Sequence, residues 1–145
     1  MSTIDSTARI AAGADIADDA VIGPWVIIED GVSIGSGTRV DAHTIIRKGT
    51  SIGSHNIIHP YAMIGGEPQD LAFKQGTVSY VRIGDHNTIR EFATIHRGTE
   101  PETATVIGNY NLLMAVSHVA HNCRLGDRVI VCNCALLSGH VEVDD

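Results

Sequence analysis

The sequence has few of the features that mark several common protein classes. Its 145 residues include one Trp, three Tyr and two Phe, so a packed core must be built from aliphatic side chains. Ten Lys and Arg against 17 Asp and Glu give a net charge of −7, which disfavours nucleic acids and anionic membranes as binding partners. The three cysteines are an odd number, which indicates a reducing compartment rather than a disulfide framework.

Segments that anchor or export a protein are also missing from the sequence. No apolar run approaches the roughly 20 residues that a membrane-spanning helix requires. The first residues, Met1 to Asp5, contain neither the basic segment nor the apolar stretch of a signal peptide. These absences predict a cytoplasmic protein without a membrane span.

What the sequence does contain is an aliphatic residue at every sixth position. The series runs from Ile4 to Ile64, from Ile83 to Ile95, and from Ile107 to Val143. The residue two positions earlier is usually small, and positions i−2 and i of an extended segment face the same side. Gly, Asp, Asn and His commonly follow the aliphatic residue, and these residue types suit tight turns.

This six-residue period predicts an all-β fold. A helix with 3.6 residues per turn cannot keep such a series on one face, and β-branched residues favour strands. We therefore predict a parallel β-solenoid of residues 1–145, a single domain with strands stacked at about 4.8 Å. The pattern resembles that of proteins in which three hexads form each coil, and this count places Thr77 in the interior position after Ile64. Loops inserted at about 65–76 and 96–106 interrupt the repeat, and such loops often carry function.

Four histidines fall on one edge of the predicted solenoid, beside the first inserted loop. His96, His121 and His140 belong to the third hexad of consecutive coils, and His118 lies on the same edge. Stacking places the four imidazoles within roughly 10 Å along the solenoid. Asp70 emerges from the loop just before this column. Imidazole is well suited to general-base chemistry near pH 7, so the edge is a candidate catalytic site.

Other kinds of site are less well supported by the residues. His118, His121 and His140 could together bind zinc, but the pattern is not typical of a known zinc site, and Cys132-x-Cys134 lacks the spacing of a zinc knuckle. No strand-turn motif presents a serine or cysteine nucleophile. We therefore expect neither a metal nor a cofactor.

The hexads resemble those of the acyltransferase superfamily of left-handed parallel β-helix proteins, in which three hexads make one triangular coil. The left hand is implied by this resemblance alone. Longer strings are similar to the UDP-N-acetylglucosamine O-acyltransferase family, which begins lipid A synthesis. These strings are IGGEPQDL at 64–71, TIHRGT at 94–99, HVAHNC at 118–123 and SGHV at 138–141. The resemblance covers the whole chain.

The resemblance implies a reaction and a set of site residues. An (R)-3-hydroxyacyl group would pass from acyl carrier protein to the 3-hydroxyl of UDP-N-acetylglucosamine, in a homotrimer. His121 corresponds to the general base, and the amide of Gly139 corresponds to the group that binds the oxyanion. The residues expected at or near the substrates are Asp70, His96, His118, His140 and Asn122.

Three features depart from the family pattern. Asn122 stands where an Asp usually follows the base, so an amide oxygen orients the imidazole without a full negative charge. Ala72 stands where a Lys is common. The pattern ends at Asp145, whereas the family continues for several coils and a helical C-terminal domain. We therefore expect the 145-residue chain alone to show little or no turnover.

Two alternatives stay open at this point. One is another hexapeptide-repeat acyltransferase that uses an acyl-CoA donor, although the PQDL loop argues against it. The other is a truncated solenoid without catalytic activity. Binding of UDP-N-acetylglucosamine, binding of acetyl-CoA, or binding of neither distinguishes the three hypotheses.

Overall fold

The computed structural model describes residues 3–145, which form 21 short strands and no helix. Every third strand pairs in parallel with the next, so the strands build three sheets of seven. Sheet 1 consists of β1 (Thr3–Ile4), β4 (Val21–Ile22), β7 (Arg39–Val40), β10 (Ile57–Ile58), β13 (Thr88–Ile89), β16 (Leu112–Leu113) and β19 (Ile130–Val131). Sheet 2 consists of β2 (Arg9–Ile10), β5 (Ile27–Ile28), β8 (Ile45–Ile46), β11 (Met63–Gly66), β14 (Thr94–His96), β17 (His118–Val119) and β20 (Leu136–Leu137). Sheet 3 consists of β3 (Asp15–Ile16), β6 (Ser33–Ile34), β9 (Thr50–Ile52), β12 (Tyr80–Ile83), β15 (Ala104–Ile107), β18 (Arg124–Leu125) and β21 (Glu142–Val143).

The three sheets enclose one column of aliphatic side chains. The last residue of most strands points inward and lies directly over its counterpart in the coil below, as Ile28 does over Ile10. Members of the column with at most 1% exposure include Ile22, Ile28, Ile46, Ile58, Ile64, Ile89, Ile95, Ile107 and Leu113. The architecture is the parallel β-solenoid that the hexads predict, in the form of the left-handed parallel β-helix that the resemblance implies. Among residues 3–145, no helix is long and apolar enough to cross a bilayer.

The corners of the coil carry ladders of stacked rings. A turn residue there adopts the left-handed conformation even when it is not glycine, as in Trp25 (φ 59°) and Tyr61 (φ 65°). Such a φ is costly for a bulky residue. Ring stacking offsets this cost. The ring centroid of His43 lies 6.5 Å from that of Trp25 and 4.9 Å from that of Tyr61, and the ring planes are nearly parallel.

Buried asparagines form a second ladder inside the corner between sheets 3 and 1. The Asn56 side-chain oxygen accepts the backbone N–H of Asn87 at 2.8 Å, and Asn87 does the same for Asn111 at 2.8 Å. Each side-chain NH₂ also donates to a glycine carbonyl in the coil above. These amides are at most 2% exposed, and their mutual hydrogen bonds satisfy groups that would otherwise be buried unpaired.

The coils above Ile64 follow a different phase from the one predicted. Ile83, and not Thr77, pairs with Ile52 in sheet 3, so the prediction for Thr77 was wrong. The first inserted loop occupies 67–79, between β11 and β12, and contains Thr77. Because the long loop does not follow the six-residue period, the next coil begins later in the sequence than the period predicts. The second inserted loop occupies 97–103, between β14 and β15.

Candidate functional site

Four histidines gather where sheet 2 turns into sheet 3, and we call His96, His118, His121 and His140 the histidine edge. His96 ends β14 and His118 begins β17. His121 and His140 lie in the turns that follow β17 and β20. The placement in the third hexad was therefore wrong: the shifted phase assigns these residues to the second hexad and the turn after it.

The imidazoles form two edge-to-face pairs. The ring centroids of His96 and His118 lie 4.6 Å apart at an interplanar angle of 78°. Those of His121 and His140 lie 5.1 Å apart at 84°. The structure thus brings together all four histidines that the sequence singled out.

A cleft of about 290 Å³ opens beside the histidine edge. Its lining includes Gln69 of the first loop, His96, His118 and His121, and the segment from Leu136 to Gly139. A larger depression of about 820 Å³ lies lower on sheet 2, but its lining holds no histidine or thiol. The smaller cleft is the one that His96, His118 and His121 line together, whereas His140 and Asn122 line a separate depression of about 640 Å³ beside sheet 3.

Hydrogen bonds fix the proton on one nitrogen of His121. Its Nδ1 lies 3.0 Å from Oδ1 of Asn122, and the backbone N–H of Thr99 donates to the same oxygen at 3.0 Å. Because that N–H can only donate, the amide atom facing both partners is the oxygen. Nδ1 of His121 must then carry the proton, which leaves a lone pair on Nε2 in the neutral ring.

Asp70 faces that second nitrogen. Oδ2 of Asp70 lies 3.8 Å from Nε2 of His121, while its Oδ1 accepts the backbone N–H of Ala72 at 2.8 Å. Opposite charges this close attract each other, so the carboxylate can stabilise positive charge that develops on the ring during a reaction. The pair therefore suits a base whose charged state must be stabilised during a reaction.

Burial keeps the other two histidines of sheet 2 uncharged. Burial, with smaller contributions from His118 and His121, lowers the pKa of His96 to about 4. Burial, followed by the influence of His121, also lowers the pKa of His118, whose Nδ1 lies 2.7 Å from Oγ1 of Thr94. Near pH 7 both rings are neutral, so they can line the cleft without repelling a proton from His121.

Gly139 belongs to the coil above His121 and lies against the ring of that residue. A Cβ atom at this position would overlap Cε1 and Nε2 of that imidazole, so only glycine leaves the ring its room. The Gly139 N–H has no hydrogen-bond partner among residues 3–145. A free amide beside a base is the arrangement that an oxyanion requires.

The two inserted loops hold each other in place. The Arg97 side chain, 2% exposed, contacts Glu67 with its Nη2 3.4 Å from Oε1, and it stacks on Phe73 with 5.5 Å to the ring centroid. Oγ of Ser79 donates to the Gly98 carbonyl at 2.6 Å. These contacts hold the loop that carries Asp70 against the loop that approaches Asn122.

Three threonines next to the histidines were given no role by the sequence. Thr94 contacts His118, Thr99 contacts Asn122, and Oγ1 of Thr105 accepts the Asn122 backbone N–H at 2.8 Å. The correct coil phase would have revealed one of them, since Thr94 lies directly below His118 in sheet 2. Among residues 3–145, no three His, Cys, Asp or Glu side chains are grouped so that they could hold a metal ion.

Comparisons with known proteins identify both the repeat and the family. The model of the bacterial transferase hexapeptide, six repeats, matches residues 31–66 and 104–139. Acyl-[acyl-carrier-protein]–UDP-N-acetylglucosamine O-acyltransferases from Thermodesulfovibrio yellowstonii and Ectopseudomonas mendocina are 47% and 48% identical over 146 aligned positions. These alignments cover all of this chain and 56% of each relative.

A solved structure gives the same result. The UDP-N-acetylglucosamine acyltransferase of Bacteroides fragilis superposes with a TM-score of 0.94 at 42% identity, covering 99% of this chain and 56% of that one. The chain thus spans a little over half the length of the relatives that it matches, and it corresponds to their N-terminal part. It belongs to the bacterial hexapeptide-repeat transferases and, within them, to the family of UDP-N-acetylglucosamine O-acyltransferases.

Proposed function

We propose that this chain carries the catalytic centre of an O-acyltransferase. The enzyme moves an (R)-3-hydroxyacyl group from acyl carrier protein to the 3-hydroxyl of UDP-N-acetylglucosamine, the first step of lipid A synthesis. The observation that carries the proposal is the state of His121, whose Nδ1 donates to Asn122 while Nε2 faces the cleft and Asp70. Acyl-[acyl-carrier-protein] and UDP-N-acetylglucosamine appear in the names of the relatives.

The proposed reaction uses His121 first as a base and then as an acid. Nε2 takes the proton of the sugar hydroxyl while the hydroxyl oxygen forms a bond to the thioester carbonyl carbon. The Gly139 N–H donates to the oxyanion that develops on the carbonyl oxygen. The carbon–sulfur bond then breaks, and the proton on Nε2 passes to the departing thiolate. Asp70 stabilises the imidazolium between these steps.

The remaining histidines act on substrates rather than on the proton. His96 and His118 stay neutral because burial lowers their pKa values, so each offers one ring N–H or one lone pair to a bound ligand. His140, edge-to-face with His121, borders the same corner from the coil above. We assign these three residues, together with Asn122 and Asp70, to binding and orienting the sugar nucleotide and the acyl chain.

We further propose that the protein is a homotrimer in the cytoplasm. The outward-facing side chain of the repeat is apolar in four of the seven strands of sheet 1 and in four of the seven of sheet 2, but in one of the seven of sheet 3. The apolar ones include Val21, Ile57, Leu112 and Ile130 on sheet 1 and Ile27, Ile45, Met63 and Leu136 on sheet 2. The polar ones include Asp15, Ser33, Ser51, Arg82, Arg124 and Glu142.

Two different apolar faces on one solenoid suit a closed ring. Packing sheet 1 of one copy against sheet 2 of the next is a heterologous contact, and three such contacts close around a threefold axis. The cleft opens on sheet 2, so a neighbouring copy would contribute one wall of the site. Light scattering of the chain at micromolar concentration should give the trimer mass, and a monodisperse monomer would contradict this assembly.

Mass spectrometry of the products tests the proposed reaction. The enzyme for this test is the extended chain: residues 1–145 joined to the C-terminal part of the Thermodesulfovibrio relative. With (R)-3-hydroxyacyl carrier protein and UDP-N-acetylglucosamine it should form the 3-O-acyl sugar nucleotide, and the 145-residue chain alone should form little or none. Product from acetyl-CoA instead would favour the acyl-CoA alternative. No product from either donor, together with no binding of UDP-N-acetylglucosamine, would favour a non-catalytic solenoid.

A further inference from the structure

The second inserted loop reaches the candidate base through a single amide. We propose that Thr99 is a positioning residue that keeps the proton of neutral His121 on Nδ1 and thereby keeps Nε2 free. The inference rests on the proposed role of His121 as the base. It gives a reason for the insertion at 97–103, whose Thr99 contacts Asn122.

Thr99 provides two donors to one acceptor atom. Its backbone N–H and its hydroxyl both lie 3.0 Å from Oδ1 of Asn122. Rotating the Asn122 amide by half a turn would bring its NH₂ group against the Thr99 N–H, so that two donors would face each other. The loop therefore selects one of the two orientations of this side chain.

The backbone of Asn122 is held independently of that loop. Its N–H donates to Oγ1 of Thr105 at 2.8 Å, and Thr105 is completely buried. Asn122 has a φ of 60°, a conformation that Asn tolerates better than most residues. Because the main chain is fixed from the coil below, the remaining freedom is the orientation of the amide, which Thr99 controls.

The amide orientation decides which nitrogen of His121 is protonated. With the oxygen towards Nδ1, that nitrogen donates and Nε2 has a lone pair. With the NH₂ group towards Nδ1, that nitrogen accepts and the proton moves to Nε2. The second form cannot accept the proton of a substrate hydroxyl. Loss of the Thr99 N–H should therefore reduce the active fraction of the enzyme, whereas the hydroxyl can bond either orientation because it donates and accepts.

The test measures the tautomer of His121 directly. Proton–nitrogen correlation NMR of the 145-residue chain labelled at histidine should show one neutral form, with the proton on Nδ1. Thr99→Pro, which removes the backbone N–H, should populate the Nε2-protonated form as well, while Thr99→Ser and Thr99→Val, which keep that N–H, should match the wild type. Thr103→Val removes a hydroxyl of the same loop that bonds only to Glu100 and should leave the tautomer unchanged.

Repeating the Thr99 substitution in Asn122→Asp distinguishes an effect on the orientation of the amide from a general loosening of the loop. In Asn122→Asp the carboxylate presents an oxygen in either orientation, so Thr99→Pro should no longer alter the tautomer. In the extended chain, Thr99→Pro should lower kcat about 3- to 10-fold, the equivalent of one net hydrogen bond, with little change in KM. The same substitution in the Asn122→Asp background should change kcat less than about 2-fold, well below the loss of one such bond.

Each outcome supports or overturns the inference. A single Nδ1-protonated form in Thr99→Pro, an equal tautomer shift in Thr103→Val, or an undiminished effect in the Asn122→Asp background would overturn the role of Thr99. A tautomer shift in Thr99→Pro without acyl transfer by any variant would support the positioning role and contradict the proposed function. Acyl transfer that depends on His121 but not on Thr99 would do the reverse.

Discussion

The same corner of the coil serves two purposes in two regions of the molecule. In the N-terminal coils, Gly31 and Gly49 hold the left-handed position of the turn from sheet 2 to sheet 3, with φ of 70° and 79°. In the C-terminal coils, Asn122 and His140 occupy the equivalent positions with φ of 60° and 63°. The backbone is nearly unchanged, so the difference lies in the side chains. Candidate site residues stand where the N-terminal coils have glycine, at a turn that the scaffold makes in both regions.

The two regions also differ in regularity. The coils before Ile64 follow the hexads without insertion, and their corner carries no loop. Both inserted loops leave the solenoid directly after sheet 2, at 67–79 and 97–103, just below the turns that hold His121 and His140. Insertions at this corner place Asp70 and Thr99 against groups that the regular repeat provides. Matched substitutions in the N-terminal and C-terminal coils test whether the two corners differ in function.

The largest expected effect is the loss of His121. In the extended chain, His121→Ala should lower the acyl-transfer kcat by about 10²- to 10⁴-fold, the usual contribution of a general base, or roughly 3–5 kcal/mol of barrier. Asp30 occupies the equivalent corner position in the N-terminal coils and contacts only the turn below it, through Gly13. Asp30→Ala should therefore leave kcat unchanged, and a comparable loss in both variants would show that the corner is merely structural.

Acid pH should destabilise the C-terminal coils through His96. Its pKa is about 4 in the folded protein and 6.5 in the unfolded chain, so the unfolded state binds more protons between these values. The stabilisation is complete above about pH 6.5 and is lost as the pH falls towards 4, by roughly 3 kcal/mol. Chemical denaturation at pH 7 and pH 4 measures this loss.

His96→Gln provides the control, since the amide has no proton to gain in this range. Other groups titrate as well, so the useful quantity is the difference between the two proteins. His96→Gln should lose roughly 3 kcal/mol less between pH 7 and pH 4 than the wild type does. Equal losses in the two proteins would mean that His96 takes up its proton without a cost in the folded state.

Replacing a corner glycine by alanine should affect activity in one region and stability in the other. Gly139→Ala forces a methyl group into the ring of His121, and misplacing a catalytic group by about 1 Å costs about 10²-fold in rate. Gly31→Ala meets no atom within 4 Å and only strains a left-handed turn, by about 1 kcal/mol. The first variant should lose activity with little loss of stability, and the second should do the opposite. Full activity of Gly139→Ala would contradict the close packing of this pair.

The smallest expected effect comes from Asn122→Asp. The carboxylate keeps the hydrogen bonds of the amide oxygen and adds a negative charge next to Nδ1 of His121. An opposite charge next to an imidazole stabilises its protonated form. The acidic limb of the kcat/KM profile should therefore move to higher pH while the plateau stays the same or rises slightly. An unshifted acidic limb would indicate that Asn122 does not contact the titrating group.

The fold is predictable from the sequence because every hexad repeats the same three residue types. The aliphatic residue, the small residue before it and the turn residue after it recur often enough to define the coil without any long-range information. The loops do not obey this rule. No residue between Ile64 and Ile83 marks where the repeat restarts, so the period predicts Thr77 in the interior. The same shift in phase places the histidines in a different hexad from the observed one.

The candidate site was predictable in part for the same reason. Stacking along the solenoid brings His118, His121 and His140 together in any phase of the coil, so their proximity could be read from spacing. The contacts of Thr99 with Asn122 depend on how a loop without a repeat folds back onto the corner. The deep burial of His96 depends on the same loops. Such contacts are set by tertiary packing and leave no periodic signal in the sequence.

A single assay of three variants shows whether one histidine of the edge transfers the proton. The acyl-transfer kcat and KM of the extended chain are measured for His118→Ala, His121→Ala and His140→Ala under the same conditions. We expect His121→Ala to lose about 10²- to 10⁴-fold in kcat with little change in KM, and the other two to show mixed effects on both. If His121→Ala retained more than about a tenth of the wild-type kcat, less than a general base contributes, another residue would be the base.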